Sequence, residues 1–146
     1  MKLALVRQKY NPFGGAERFV ERALQSLRER GTPVTLITRE WKDGDDANIR
    51  ICNPAYVTRR GRDAGFARAV QEIMAAGEFD LVQSHERIPG CHLYRAGDGV
   101  HATWLDLRAR AQSPLARAMT QLHPWHRYTL AAEAAMFRHT DLRAVI

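Results

Sequence analysis

The chain is 146 residues long, 45% hydrophobic and 26% charged, an ordinary composition for one globular domain with a real core. No apolar run approaches the roughly 20 residues of a membrane-spanning helix, and Met1-Lys2 leads into only four apolar residues, too few for a secretory leader; a cytoplasmic protein is expected. The net charge of +6 comes mostly from arginine and attracts nucleic acid, anionic lipid or phosphorylated substrate without choosing among them.

Leu3-Ala4-Leu5-Val6 reads as a buried first strand. Gly14-Gly15 then opens a helix whose apolar residues, Ala16, Phe19, Val20, Ala23, Leu24 and Leu27, recur at helical spacing. Strand, glycine turn and helix place free N–H groups and the positive end of a helix dipole above the strand, where an anion is favoured. The same glycines also serve a plain tight connection. Neither G-x-G-x-x-G nor a phosphate-binding loop with its own lysine is present.

Gly31 closes the helix and Pro33–Thr38 follows as a β-branched strand. Asp43-Gly44-Asp45 is a turn, and Ile49–Cys52 a short strand. A polar, arginine-rich connection covers Thr58–Asp63, and the next helix is expected from Gly65 to Ala76, with Phe66, Ala69, Val70 and Ile73 inward. Phe79–Gln83 and Cys91–Ala96 read as strands, separated by the loop Ser84–Gly90. From His101 to Tyr128 short helices are broken near Ser113-Pro114 and His123-Pro124. A longer helix from about Trp125 to His139 carries Leu130, Ala134 and Phe137 on one side, and Asp141–Ile146 begins a further strand. Cys52 and Cys91 are expected to be reduced and structural; Cys91-His92 near His85 lacks metal-ligand spacing, so no metal is expected.

Alternating strands and helices predict an α/β fold, a Rossmann-like open, mostly parallel sheet with helices on both faces. Ligands of such sheets bind outside the carboxyl ends of the strands. The loops Gln8–Gly15, Ser84–Gly90 and Gly97–His101 lie there, with Lys9, Gly14, Gly15, Arg18, Glu86, Arg87, Asp98 and His101 as candidates. Asp98, between two glycines, suits a hydrogen bond to a sugar hydroxyl, a base, or a simple Asp turn.

The ordered set Lys9-Tyr10-x-Pro12-Phe13-Gly14-Gly15-x-x-Arg18, Pro89-Gly90, Tyr94-x-Ala96-x-Asp98, Arg127-Tyr128, Glu133 and Phe137 resembles the retaining, GT-B-fold glycosyltransferases of family 4. Within that family it is most similar to the lipopolysaccharide-core glucosyltransferases that act on an inner-core heptose. The resemblance runs the whole length of the chain. It implies that residues 1–146 are one Rossmann-like, acceptor-side domain, the N-terminal half of a GT-B fold. Gly14 and Gly15 match the loop on the donor diphosphate, and Asp98 matches the catalytic position that reaches the transferred sugar. Lys9, Arg18, Glu86, Arg87 and His101 fall on the acceptor side. The donor is a nucleotide-sugar, expected to be a UDP-sugar, held mainly by a second domain that this sequence lacks. No metal is required, and the leaving phosphate helps deprotonate the acceptor, which makes Asp98 a positioning residue. The isolated chain is therefore expected to be an inactive portion of a larger enzyme.

A glycan or glycolipid acceptor and an anionic membrane surface are the expected partners. Trp104, Arg108, Arg110, Arg117, Trp125 and Arg127 mix rings and positive charge on short helices, which suits the inner face of the cytoplasmic membrane, although core closure accounts for the apolar residues as well. A non-catalytic membrane-surface or carbohydrate-binding module is the alternative. Nucleic acid is not expected as a partner, because the arginines are scattered over amphipathic helices without a recognition motif.

Overall fold

A computed structural model of the chain describes residues 1–9, 14–41 and 48–146. The expected turn at Asp43-Gly44-Asp45, and Tyr10, Pro12 and Phe13 of the glycine loop, lie outside the described residues, as does the side chain of Ala16.

The described elements are β1 (Leu3–Val6), α1 (Gly15–Glu29), β2 (Val34–Thr38), β3 (Asn48–Ile51), α2 (Arg59–Ala75), β4 (Leu81–Ser84), β5 (Leu93–Tyr94), α3 (His101–Arg110), α4 (Pro114–Leu122), α5 (Pro124–Phe137) and β6 (Ala144–Val145). The strands form one parallel sheet in the order β3-β2-β1-β4-β5-β6. β1 is central, with Val6 in register with Ile37 on one side and Ser84 on the other. A strand buried on both faces has no polar alternation, which is why β1 is uniformly apolar. Leu3 and Leu5 pack with Val20 and Leu24 of α1, while Ala4 and Val6 pack with Phe66, Val70 and Ile73 of α2. Each large side chain buried this fully contributes about 1.5–3 kcal/mol. A third cluster, Cys91, Tyr94 and Met136, joins the β5 end of the sheet to α5. Both cysteines are free thiols, and burial pushes Cys91 up to about 11.

Three expectations change. α2 starts at Arg59 rather than Gly65: Thr58 caps it by accepting the Gly61 N–H at 3.0 Å. Its first turns, Arg59 to Asp63, are polar and carry no apolar period, so only the cap marks them. α5 is rotated: Thr129, Ala132, Glu133 and Met136 face inward, and Phe137 is exposed with its ring edge-on to Tyr94. The inward stripe includes a carboxylate and a hydroxyl, so hydrophobicity alone misplaces the face. In α1, Phe19 leaves the core stripe and lies under the Arg95 guanidinium, 4.1 Å from its ring centroid.

Gly31 has φ 69° past the end of α1, as a helix-closing glycine requires. Arg39, buried at the end of β2, donates to the Asn53 side chain and to the carbonyls of Pro54 and Arg62. This one side chain ties the start of α2 to the sheet.

Candidate functional site

The chain leaves β1 for β2 on one side and crosses back from β3 to β4 on the other, so the crevice of this sheet opens above the carboxyl ends of β1 and β4. Arg7 and Gln8 follow β1 directly, and His85 and Glu86 follow β4. The Glu86 carboxylate spans the crevice, accepting from the Gln8 N–H at 2.9 Å and lying 3.5 Å from the Arg7 guanidinium. Burial raises its carboxyl pKa against the pull of Arg7 and the Gln8 amide. Beside it, burial, with Arg7 and Arg95 nearby, lowers His85 to about 4, so this imidazole is neutral at neutral pH.

A cleft of about 600 Å³ extends from this crevice to the helices α2, α3 and α5. Asp63 of α2 organises one wall. Its Oδ1 accepts from Arg62 Nε at 2.9 Å and Gln8 Nε2 at 3.3 Å, and its Oδ2 accepts from the Trp125 indole at 2.7 Å. A single carboxylate thus joins β1, α2 and α5.

Glu133 organises the opposite wall. It is buried, and accepts from Arg87 Nε at 2.8 Å, from the His101 N–H at 2.8 Å and from the Ala102 N–H at 3.2 Å. The two amides belong to the first turn of α3, whose N-cap Val100 has no side-chain acceptor of its own. Burial by itself raises the Glu133 carboxyl, but the amides and the guanidinium outweigh it and hold the group below its ordinary value. Arg87 also donates to the Gly99 carbonyl at 3.1 Å. Gly99 reaches φ 72°, which a side chain would resist, and so turns the chain into α3.

Between these walls lies an array of rings. His101 stacks on Trp104 and on His126, with centroids 5.5 and 5.1 Å apart, and meets Trp125 edge-on at 5.3 Å. His101 Nε2 and His126 Nδ1 are 3.0 Å apart and share a hydrogen bond. Burial, then Arg87 and His126, lower the His101 pKa; burial, then His123 and Arg108, lower that of His126. Arg59 lies over the Trp125 ring at 3.4 Å and Arg108 near the Trp104 ring at 5.0 Å.

The structure brings Lys9, Glu86, Arg87, Asp98 and His101 into this cleft. Asp98 is exposed, 4.0 Å from the Arg7 guanidinium. Arg87 and Glu86 are engaged in internal contacts, so both shape the cleft as much as they offer it charge. Gly14, Gly15 and Arg18 do not line it; they stand at the start of α1, where Gly14 makes no side-chain cap. The six residues read as a membrane surface divide. Trp104, Arg108 and Trp125 line the cleft, and Trp125 is half-buried on Asp63, whereas Arg110, Arg117 and Arg127 are exposed outside it. Arg117 donates to the Ala109 carbonyl at the end of α3.

Arg7, Gln8, Arg59, Asp63 and His126 line the cleft without having been candidates. Arg7 and Gln8 are the first residues past β1, a position that deserved candidacy by its place alone. Arg59 and Asp63 were hidden by the late start given to α2. Among the described residues no group of three or more His, Cys, Asp or Glu is arranged to hold a metal ion.

Comparison with known proteins fits this architecture. The family model for Glycosyltransferase Family 4 matches residues 13–146. The lipopolysaccharide glucosyltransferase WaaG of Escherichia coli (strain K12) is 30% identical over 106 residues, which cover 70% of this chain and 28% of that protein. The crystal structure of WaaG, described as a glycosyltransferase involved in lipopolysaccharide biosynthesis, superposes with a TM-score of 0.80 at 26% identity. That match covers 97% of this chain and 37% of the other. The chain therefore spans about a third of the length of the relatives it matches.

Proposed function

The chain belongs to glycosyltransferase family 4, as an N-terminal GT-B domain near the lipopolysaccharide glucosyltransferases, and from that premise we propose that it binds the acceptor in a retaining hexosyltransferase. The donor is a nucleotide-sugar, a UDP-hexose in this reading, and the acceptor a lipopolysaccharide-core or related glycolipid. The observation that carries the reading is the cleft at the β1–β4 crevice, which has Asp98 at its edge and rings and arginines along its walls.

In this proposal residues 1–146 are one acceptor-side domain and a second domain holds the nucleotide. The uncapped first turn of α1, at Gly14 and Gly15, meets the donor diphosphate; a Cβ at Gly15 touches nothing within 4 Å, so the position is open for a ligand. The bond from the sugar to the donor phosphate breaks, the acceptor oxygen takes its place on the same face, and the acceptor proton passes to the leaving phosphate. Asp98 orients the transferred sugar. Lys9 and His101 face the acceptor, with Glu86 and Arg87 holding the walls; Arg18, outside the cleft, is left to the outer approach.

The outer surface of the α3–α4 pair supports peripheral binding at the inner face of the cytoplasmic membrane. Leu115, Met119 and Leu122 form an exposed apolar stripe on α4, and Leu107 is exposed on α3. Arg110, Arg117 and Arg127, on α3, α4 and α5, are exposed as well, and each contributes about 1 kcal/mol near an anionic surface. Among the described residues no helix is long and apolar enough to cross a membrane. That stripe is also the observation that favours the second reading, a non-catalytic membrane-surface module.

Transfer assays decide between the two. In the enzyme completed by its donor domain, Asp98→Asn and Gly15→Val are each expected to lower turnover at least tenfold while the fold is retained; the 146-residue chain alone transfers nothing. Wild-type turnover in both variants, or transfer by the chain alone, would refute the proposal.

A further inference from the structure

The basic groups of the cleft fall into two kinds. Arg7 lies against Glu86 and Asp98, Lys9 against Glu40, Arg62 against Asp63 and Arg87 against Glu133. Arg59 and Arg108 have no carboxylate partner among the described residues; each lies instead against an indole that itself touches His101. A guanidinium stacked on a ring uses its face and keeps its edge donors, in a planar fork that matches phosphate oxygens. The ring also orients the fork in advance, so less freedom is lost when an anion arrives.

A second observation comes from Gln8. Its side chain is 8% exposed and lines the cleft. Asp63 only accepts, so the contact at 3.3 Å fixes the amide with Nε2 toward Asp63. Its Oε1 is buried and has no hydrogen-bond partner among the described residues. Native interiors rarely leave such an acceptor unmet, and a small opening of the cleft lining would let a sugar hydroxyl supply the donor.

Resting on the acceptor reading above, we propose that the cleft selects an acceptor sugar bearing a phosphate monoester, with the phosphate on Arg59 and Arg108 and a hydroxyl on Gln8 Oε1. Burial is the main cause of the two lowered imidazoles, and Arg59, with Arg108 at His126, adds to it; that added part is what a phosphate would offset.

The test uses mannose 6-phosphate, mannose, inorganic phosphate and UDP as probes of the 146-residue chain, read by the indole N–H signals of Trp104 and Trp125 and the imidazole signals of His101 and His126. Mannose 6-phosphate is expected to bind at least tenfold tighter than mannose and to raise both histidine pKa values. Arg59→Gln with Arg108→Gln should bring the two affinities together, and Gln8→Leu should weaken both sugars by a similar factor. Should a variant fail to fold, inorganic phosphate competing with mannose 6-phosphate but not with mannose supports the same conclusion in the wild type, and equal competition with both contradicts it. Equal affinities for the two sugars, both seen at the indoles, would overturn the phosphate and leave the acceptor reading standing. UDP binding at those indoles more tightly than mannose 6-phosphate would overturn both.

Discussion

The inner and outer faces of the helical segment α3–α5 are built from the same kinds of residue and treated in opposite ways. On the inner face Trp125 gives its N–H to Asp63, Arg87 is held by Glu133, and His101 is 7% exposed. On the outer face Leu115, Met119 and Leu122 are 73, 67 and 70% exposed, and Arg110, Arg117 and Arg127 are exposed as well. Rings and guanidiniums serve as architecture where a carboxylate has been buried to receive them, and stay exposed where none has. The difference is made by two acids, Asp63 and Glu133, which lie far from the segment's own charges in sequence or on its least polar helix.

The largest effect should come from removing the inner carboxylate. Glu133→Ala leaves the Arg87 guanidinium and the amides of His101 and Ala102 without their acceptor; loss of one partner of a buried pair costs about 3–5 kcal/mol, and the lower end is expected because Arg87 is partly exposed. Urea unfolding measures it, and a change below 1 kcal/mol would show that Glu133 is not what anchors α3. Asp63→Ala should follow, at about 1–2 kcal/mol, since it strands the Trp125 and Gln8 donors in a half-open site. A blue-to-red shift of Trp125 fluorescence on its exposure is the accompanying signal.

The pH dependence of stability probes the same face. His101 and His126 titrate below the ordinary value of 6.5 when folded. The unfolded chain then binds more protons as the pH drops below that value, so their contribution is whole above it and is lost as the pH falls through the folded values. His85, lowered to about 4, adds a loss of the same sign down to that pH. Replacing His101 and His126 with Gln should make the slope shallower below pH 6.5 without removing it; an unchanged slope would mean that the pair titrates normally.

The smallest effect on stability belongs to the outer face. Leu115→Ser, Met119→Ser and Leu122→Ser together should change the unfolding free energy by no more than about 0.5 kcal/mol per site. Their effect should appear only with anionic vesicles, where salt-sensitive sedimentation of the chain is lost. A large destabilisation, or sedimentation equal on neutral and anionic vesicles, would erase the distinction between the two faces.

Much of the fold was legible along the chain. β1, the first helix with its closing Gly31, and the breaks at Pro114 and Pro124 each depend on residues within a few positions of one another. Local signals of that kind, a run of apolar residues, a left-handed glycine, a proline at a helix start, act through backbone geometry and need no distant partner. The loops at the strand ends were legible for the same reason, and with them Lys9, Glu86, Asp98 and His101 as cleft residues.

What the sequence determined by itself is thus the order of elements, the parallel sheet and the end of that sheet where the cleft opens. Only the tertiary structure decided which arginines and rings face the cleft, because that choice depends on Asp63 meeting Gln8 and Trp125 across 55 and 62 positions, and on Glu133 meeting Arg87 across 46. A buried carboxylate is satisfied only by donors that folding brings to it, and no periodicity along the chain records where they will be.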